Sequence, residues 1–497
     1  MDLISKILND KKYFYPALLF IILFSVVLNI VLNYAGFFSI SADESGRTIT
    51  AYQWINGTYK GIPTWLPFYN IVIGFGLKIF PDLLITPRII ISLFGVLSFI
   101  SFLWMTHELF KDTFITLLAA FIMLFFPSRV ILSTVPLTES IFFFFIFTGI
   151  AFFVKWLNTS KNYLLILAAM AFGISSSVRY EGWLFSASLV GLLIFLKRLS
   201  NGEVKLQSII FAFLIGLIFP AYWFIYQGSF TDSPFHFFYD VNKNYERAQG
   251  ISFLSILKNN YLIRFVHHNL IYLCFPGIFV SFYLFLRNGI IRKWMILILI
   301  PFTILIIISL TGRGIPTHNI WRVPELWNIF LIPLSAYFIK NLDSFEIKFL
   351  KNISKQIIPL TIIFLIIYYS FHIYRHIGDK NYFSKTELEI GRYIEKNLID
   401  INPNKKILIE IPDWSYLHIA ASSNHPENFV RCLEEGEPKI IRNKTLPESS
   451  NLDFAELRDK NISYVIAKSN ELKNKISSNP FFKEKKKFRE WIIYEIR

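Results

Sequence analysis

The chain has 497 residues, of which 54% are hydrophobic, 18% aromatic and only 17% charged, with a formal net charge of +15. Soluble domains run nearer half apolar and about a quarter charged, and the mean hydropathy here is positive, so composition excludes an ordinary soluble enzyme. The basic excess does not mark a nucleic-acid binder, because most Lys and Arg fall in short linkers between apolar runs, the topology signal of a polytopic membrane protein.

Lys6, Lys11 and Lys12 precede an apolar run from Tyr15 to Leu32, and no small-residue cleavage pattern follows closely, which predicts an uncleaved first span. A bilayer-crossing helix needs about 20 mostly apolar residues. That measure predicts eleven spans, at 14–34, 84–104, 113–128, 138–156, 162–178, 183–198, 207–227, 266–286, 292–311, 325–340 and 356–374. The stretch "LPFYNIVIGFGLKIF" at 66–80 is shorter and holds two glycines, which predicts a re-entrant or interfacial segment. Lys and Arg recur in alternate loops, from Lys6/Lys11/Lys12 through Lys197/Arg198/Lys205 to Lys340/Lys348/Lys351/Lys355. The positive-inside rule then puts the N-terminus in the cytoplasm and the C-terminus outside. The outer side reads as a periplasm, an archaeal exterior or a lumen, with the cell membrane the expected location.

The chain from 376 is polar. "KKILIEI" (405–411), "ISYVIA" (462–467) and the terminal "FREWIIYEIR" read as strands, "KTELEIGRYIEKNL" (385–398) and "FAELRDK" (454–460) as helices, and "KEKKK" (483–487) as a solvated turn. The predicted fold class is therefore an all-α polytopic membrane domain of eleven helices (1–375), with long outer loops at 35–83 and 228–264, followed by a small extracytoplasmic α/β domain (376–497). Cys274 lies in an apolar run and Cys432 in the polar tail, so neither a disulfide nor a cysteine metal site is expected.

With this topology the unusual polar residues fall on the outer face. The first outer loop carries Asp43, Glu44, Arg47 and Lys60. The next turns hold Arg129 and Glu139, then Arg179, Tyr180 and Glu181. The long fourth loop carries Asp232, His236, Asp240, Lys243, Glu246 and Arg247, and the fifth Arg313, His318, Arg322 and Glu325. Ionisable residues at membrane depth are functional candidates by default. Each also has a structural reading. Ser41-x-x-Glu44 fits a capping box with Ser41 as N-cap. Arg129 reads as a headgroup anchor. Arg179 and Glu181 can pair with each other, and His318 can be ordinary polar surface. Asp43 is less readily given a purely structural role: in the first helical turn the positive helix end would keep it ionised, as a general base requires. There is no G-x-x-x-x-G-K-[ST] loop, no D-x-D triplet and no HExxH, so neither an ATP-driven pump nor a zinc centre is expected.

The acidic pair after one span, "TVPLTES", "VRYEGW" and "THNIWRVP" together resemble the integral-membrane glycosyltransferases of the C superfamily (GT-C). The likeness is to the branch of the protein O-mannosyltransferases (family 39) and the lipid A aminoarabinose transferase, and it extends over most of the chain. No sugar-binding insert like that of the eukaryotic protein mannosyltransferases stands in the fourth outer loop, and the late loop lacks the full acidic signature of the lumenal mannosyltransferases. The resemblance implies a polyprenyl-phosphate-linked sugar as donor, a glycan, lipid or protein hydroxyl as acceptor, and single displacement with inversion. No cofactor is expected, and the missing D-x-D agrees with a metal-independent reaction, with a divalent metal left as an open alternative. It implies Asp43 as base assisted by Glu44. Arg179, Arg322, His318 and Arg247 would hold the donor phosphate, since a guanidinium fork matches phosphate oxygens, and Glu139, Tyr180 and Glu181 would orient the sugar. Competing expectations are a lipid-linked sugar flippase or transporter, and an oligosaccharide ligase or polymerase using a diphosphate donor.

Overall fold

The computed structural model describes residues 11–59, 65–199, 205–231, 233–237, 275–310, 322–341, 363–364, 367–368, 370–371, 374, 385–411, 413–430 and 454–497. Helix α1 (Lys11–Tyr34) leads into the amphipathic α2 (Asp43–Ile55) and the short apolar α3 (Pro67–Ile79). Then follow α4 (Ile85–Phe110), α5 (Thr113–Phe125), α6 (Pro127–Leu132), α7 (Glu139–Thr159), α8 (Asn162–Val178), α9 (Glu181–Leu199) and α10 (Leu206–Phe230). Farther along the chain come α11 (Phe275–Arg287), α12 (Gly289–Leu310) and α13 (Arg322–Lys340).

Helices α1, α4, α7 and α10 are long and apolar enough to cross a membrane by length and composition, and α3, α5 and α8 are shorter apolar helices. The chain is an integral membrane protein. The expected span at 113–128 ends early, because Pro127 forces Phe126 into an extended conformation and restarts the chain as α6. The span expected at 356–374 lies mostly outside the described residues.

Helix α7 is the centre of the bundle, packing on α4 and α8, while α8 also meets α9 and α10. Aromatic edges join these helices: Phe102 meets Phe147 at 5.6 Å and Phe147 meets Phe330 of α13 at 5.7 Å between ring centroids. Arg129 is not a headgroup anchor. It is 2% exposed, donates to Leu124 O and Ser25 Oγ, and lies over the Phe99 ring. Folding the α5–α6 break against α1 puts this arginine inside the protein, where a backbone carbonyl and a hydroxyl replace the lipid phosphate that a surface arginine would meet.

The C-terminal portion is α/β. Helix α14 (Lys385–Ile394), extended by a π turn to Ile399, precedes β1 (Lys406–Ile409), α15 (Tyr416–Ser422), β2 (Phe429–Val430), α16 (Phe454–Asp459), β3 (Ile462–Ala467), α17 (Asn470–Ser477), β4 (Phe482–Phe488) and β5 (Trp491–Ile496). The sheet order is β2-β1-β3-β5-β4, with β1 parallel to β2 and β3, and β5 antiparallel to β3 and β4. The lysine-rich 483–487 run is strand β4 rather than a turn. It is the sheet's edge, exposed along nearly its whole length, and charge on an edge strand blocks pairing with other chains. Its burial pattern hides the alternation by which a strand is read.

This portion is not a detached appendage. Gly391 of α14 lies so close to Ile419 O and Ser422 Oγ that no Cβ would fit there, which draws α15 in against α14. Helix α15 also packs on α2.

Candidate active site

Helix α2 begins at Asp43, one residue later than a Ser41 N-cap requires. Ala42 stands at the N-cap without a side-chain bond. The reciprocal logic of a capping box survives in shifted form. Ser41 Oγ accepts from the Asp43 N–H at 3.3 Å, and the Glu44 carboxyl turns back to accept the Ile40 N–H at 2.8 Å, the Ser41 N–H at 3.2 Å and the Ser41 hydroxyl at 2.8 Å. Glu44 is 1% exposed. Burial pushes its carboxyl up to about 7 against the pull of these hydrogen bonds. Asp43 beside it is only half-buried. The two acids of the pair therefore face different surroundings, Glu44 turned into the protein and Asp43 toward its edge.

One turn along α2, Arg47 lies over the Trp65 ring at 4.4 Å and near Tyr69 at 5.9 Å. Sequence reading placed Arg47 in the loop without giving it a role, although its i, i+4 spacing from Asp43 puts both on one helix face. Tyr69 of α3 is fully buried and donates its hydroxyl to Pro136 O at 2.7 Å, which fixes α3 to the "TVPLTES" turn.

That turn and "VRYEGW" are joined by a buried ion cluster. Glu139 is the first residue of α7 and Glu181 the first of α9, both at positive helix ends that favour a carboxylate. Arg179 lies between them. Its Nη1 donates to Glu139 Oε1 at 2.8 Å and to Thr138 Oγ1 at 3.2 Å. Its Nη2 and Nε reach Glu181 Oε1 and Oε2 at 2.6 and 3.2 Å. Sequence reading gave Arg179 to the donor phosphate, and Glu139 and Glu181 to the sugar. The structure gives all three to each other.

The turn is held tightly. A Cβ on Gly182 would lie 2.5 Å from the Ser175 carbonyl carbon, and Trp183 Nε1 donates to Ser176 O at 2.8 Å. Tyr180, next to Arg179, stacks on Phe237 at 5.0 Å with 6° between the rings, and meets Trp183 edge-on at 5.3 Å. Burial pushes the Tyr180 phenol up, with a hydrogen bond to Trp223 and then the Arg47 charge opposing. Arg247 and His318 lie outside the described residues, as does the side chain of Arg322, the first residue of α13. Among the described residues no group of three His, Cys, Asp or Glu side chains is placed to hold a metal ion.

Residues 65–232, which include Trp65, Tyr69, Glu139 and the Arg179 turn, match the family model for dolichyl-phosphate-mannose-protein mannosyltransferase. The whole architecture is similar to ArnT from Cupriavidus metallidurans bound to undecaprenyl phosphate, with a TM-score of 0.62 over 96% of this chain and 97% of that one at 10% identity. The fold is the GT-C fold. Within GT-C it is also similar to the Archaeoglobus fulgidus oligosaccharyltransferase in the apo form, with a TM-score of 0.58 over 92% of this chain and 70% of that one at 14% identity. The archaeal enzyme AglB from the same organism, in complex with an inhibitory peptide and a dolichol-phosphate, gives a TM-score of 0.53 over 92% of this chain and 69% of that one at 14% identity. No curated protein matches the chain by sequence. The resemblance read from the four sequence motifs thus agrees with both the family match and the fold.

Proposed function

We propose that this GT-C protein transfers a hexosyl or pentosyl unit from a polyprenyl-phosphate-linked donor to an acceptor hydroxyl on the extracytoplasmic face, in a single inverting displacement without a metal. The observation that carries this reading is the division of the acid pair. Glu44 satisfies the backbone that enters α2, whereas Asp43 opens the helix half-buried. A carboxylate placed beside the acceptor hydroxyl can take its proton as the glycosidic bond breaks. Charge then builds on the departing lipid phosphate, and preorganised cations stabilise it where water is excluded. Arg322, His318 and Arg247 are assigned that role. Arg47, on the Asp43 side of α2, is added to them, and Arg179 becomes the strut that holds the two motif turns. A structure of the similar ArnT holds undecaprenyl phosphate and one of AglB holds a dolichol-phosphate, which supports a lipid-phosphate donor here.

The test is transfer by the purified chain in detergent, using polyprenyl-monophosphate and polyprenyl-diphosphate sugars in competition. A new glycosidic bond made from the monophosphate donor supports the reading. A lipid-sugar flippase would make no bond. Preference for the diphosphate would favour a second reading, oligosaccharide transfer, to which the similarity to the oligosaccharyltransferase fold lends weight.

A further inference from the structure

The C-terminal portion meets the acid-bearing helix at one buried polar contact. His418 Nδ1 lies 2.8 Å from Ser45 Oγ across 373 residues of chain. His418 is 6% exposed and Ser45 is buried with it. Ser45 directly follows Glu44 and is two residues from Asp43. The contact is supported on both sides. Leu417 and Trp65 both pack beside Gly46, within ordinary van der Waals reach of a Cβ there. Asn424 Oδ1 accepts the Leu83 N–H at 2.8 Å, while its amide donates to Glu395 Oε1 at 2.9 Å. From the membrane side, Arg88 Nη2 donates to Phe38 O at 2.7 Å, fixing the segment that enters α2. The segment entering α2 is therefore anchored to α4, and the first turn of α2 to α15.

Neither anchor is needed to form the helix, which the Ser41–Glu44 bonds already cap. A hydrogen bond between two buried side chains from distant parts of the chain instead fixes where that turn sits. We propose that His418 is a positioning residue: through Ser45 the C-terminal domain holds the first turn of α2, and with it Asp43, at the place from which the acceptor proton is taken. This deepens the proposed function and rests on Asp43 as its base. Misplacing a reacting group by about 1 Å costs up to about a hundredfold in rate, so loss of the anchor acts on turnover more than on donor binding. Burial and the neighbouring Arg88 charge hold the imidazole down to about 4, with Asp413 opposing. It is therefore neutral at working pH and bonds Ser45 as a single donor or acceptor. A glutamine can reproduce either role.

The test uses the full chain in detergent with His418→Ala, His418→Gln, Ser45→Ala and the Ser45→Ala/His418→Ala double variant. His418→Ala and Ser45→Ala are expected to lower kcat by at least about tenfold, with donor KM within about twofold. The double variant should be no worse than the poorer single one, and His418→Gln should restore most of kcat. Hydrogen exchange in 43–50 should rise in His418→Ala and not in His418→Gln. Unchanged kcat per folded molecule in His418→Ala, or additive losses in the double variant, would overturn the proposal. If the wild-type chain makes no glycosidic bond, the functional reading falls, and exchange alone judges the anchor: unchanged protection of 43–50 in His418→Ala rejects it.

Discussion

Arg179 Nη1 stands 2.8 Å from Glu139 Oε1, and the same guanidinium grips Glu181 at 2.6 Å. The two motif turns are thereby one unit, with α7 and α9 starting from a common buried ion cluster. Removing one member of a buried ion network leaves an unpaired charge and costs about 3–5 kcal/mol. Arg179→Ala is expected to lower the thermal midpoint in detergent sharply. Arg179→Lys should recover only part of this, because an ammonium cannot reproduce the planar fork that spans both glutamates. Thermal unfolding followed by fluorescence checks it. A midpoint unchanged in Arg179→Ala would remove the cluster as a structural element.

Gly182 gives a sharper test of the same turn. Its α-carbon approaches the Ser175 carbonyl so closely that an added methyl must displace backbone rather than a side chain. Gly182→Ala is expected to cost about 1–3 kcal/mol through overpacking and to loosen the Trp183–Ser176 bond. Thermal midpoints compared with a Gly→Ala change at Gly191, where a Cβ would meet nothing within 4 Å, isolate the steric term. Gly191→Ala is expected to be neutral or slightly stabilising.

The pH dependence of stability follows from Glu44. Its carboxyl rises from 4.5 in the unfolded chain to about 7 in the folded protein, so between these values the folded state holds more protons than the unfolded one. Stability is then greatest below pH 4.5 as far as this group is concerned, and falls as pH climbs to about 7, by on the order of 3 kcal/mol. Buried His418 runs the other way, adding stability as pH rises from about 4 through its ordinary 6.5. Glu44→Gln should remove the falling limb, so its midpoint gains on the wild type steadily from pH 4.5 to 7. Parallel wild-type and Glu44→Gln profiles over that window would contradict the burial of an ionisable Glu44.

Much of this was legible in the sequence where local chemistry decides. Among the described residues four helices are long and apolar enough to cross a membrane, and the helix at 162–178 has the bounds its composition predicts. Ser41-x-x-Glu44 announced a cap, and the structure only shifts its start by one residue. The proximity of Arg179 and Glu181 was readable from their spacing. Glu139 as third partner was not, because 40 residues separate it from Arg179. Long-range contacts account for the other misses. Arg129 reads as a surface cation until α1 closes over it, and nothing in the spacing pairs His418 with Ser45. Strand β4 escaped notice because an exposed charged edge lacks the apolar alternation of a buried strand.

The central claim is that the acid pair divides its labour, Asp43 acting on substrate and Glu44 holding the backbone. Single-turnover transfer from a polyprenyl-monophosphate sugar, measured in detergent for Asp43→Asn and Glu44→Gln, tests it most directly. The account predicts that Asp43→Asn folds and inserts normally but loses transfer by about a hundredfold or more. Glu44→Gln should keep most of its turnover and change the stability profile instead. Near-normal transfer by Asp43→Asn, or abolished transfer by a well-folded Glu44→Gln, would contradict it.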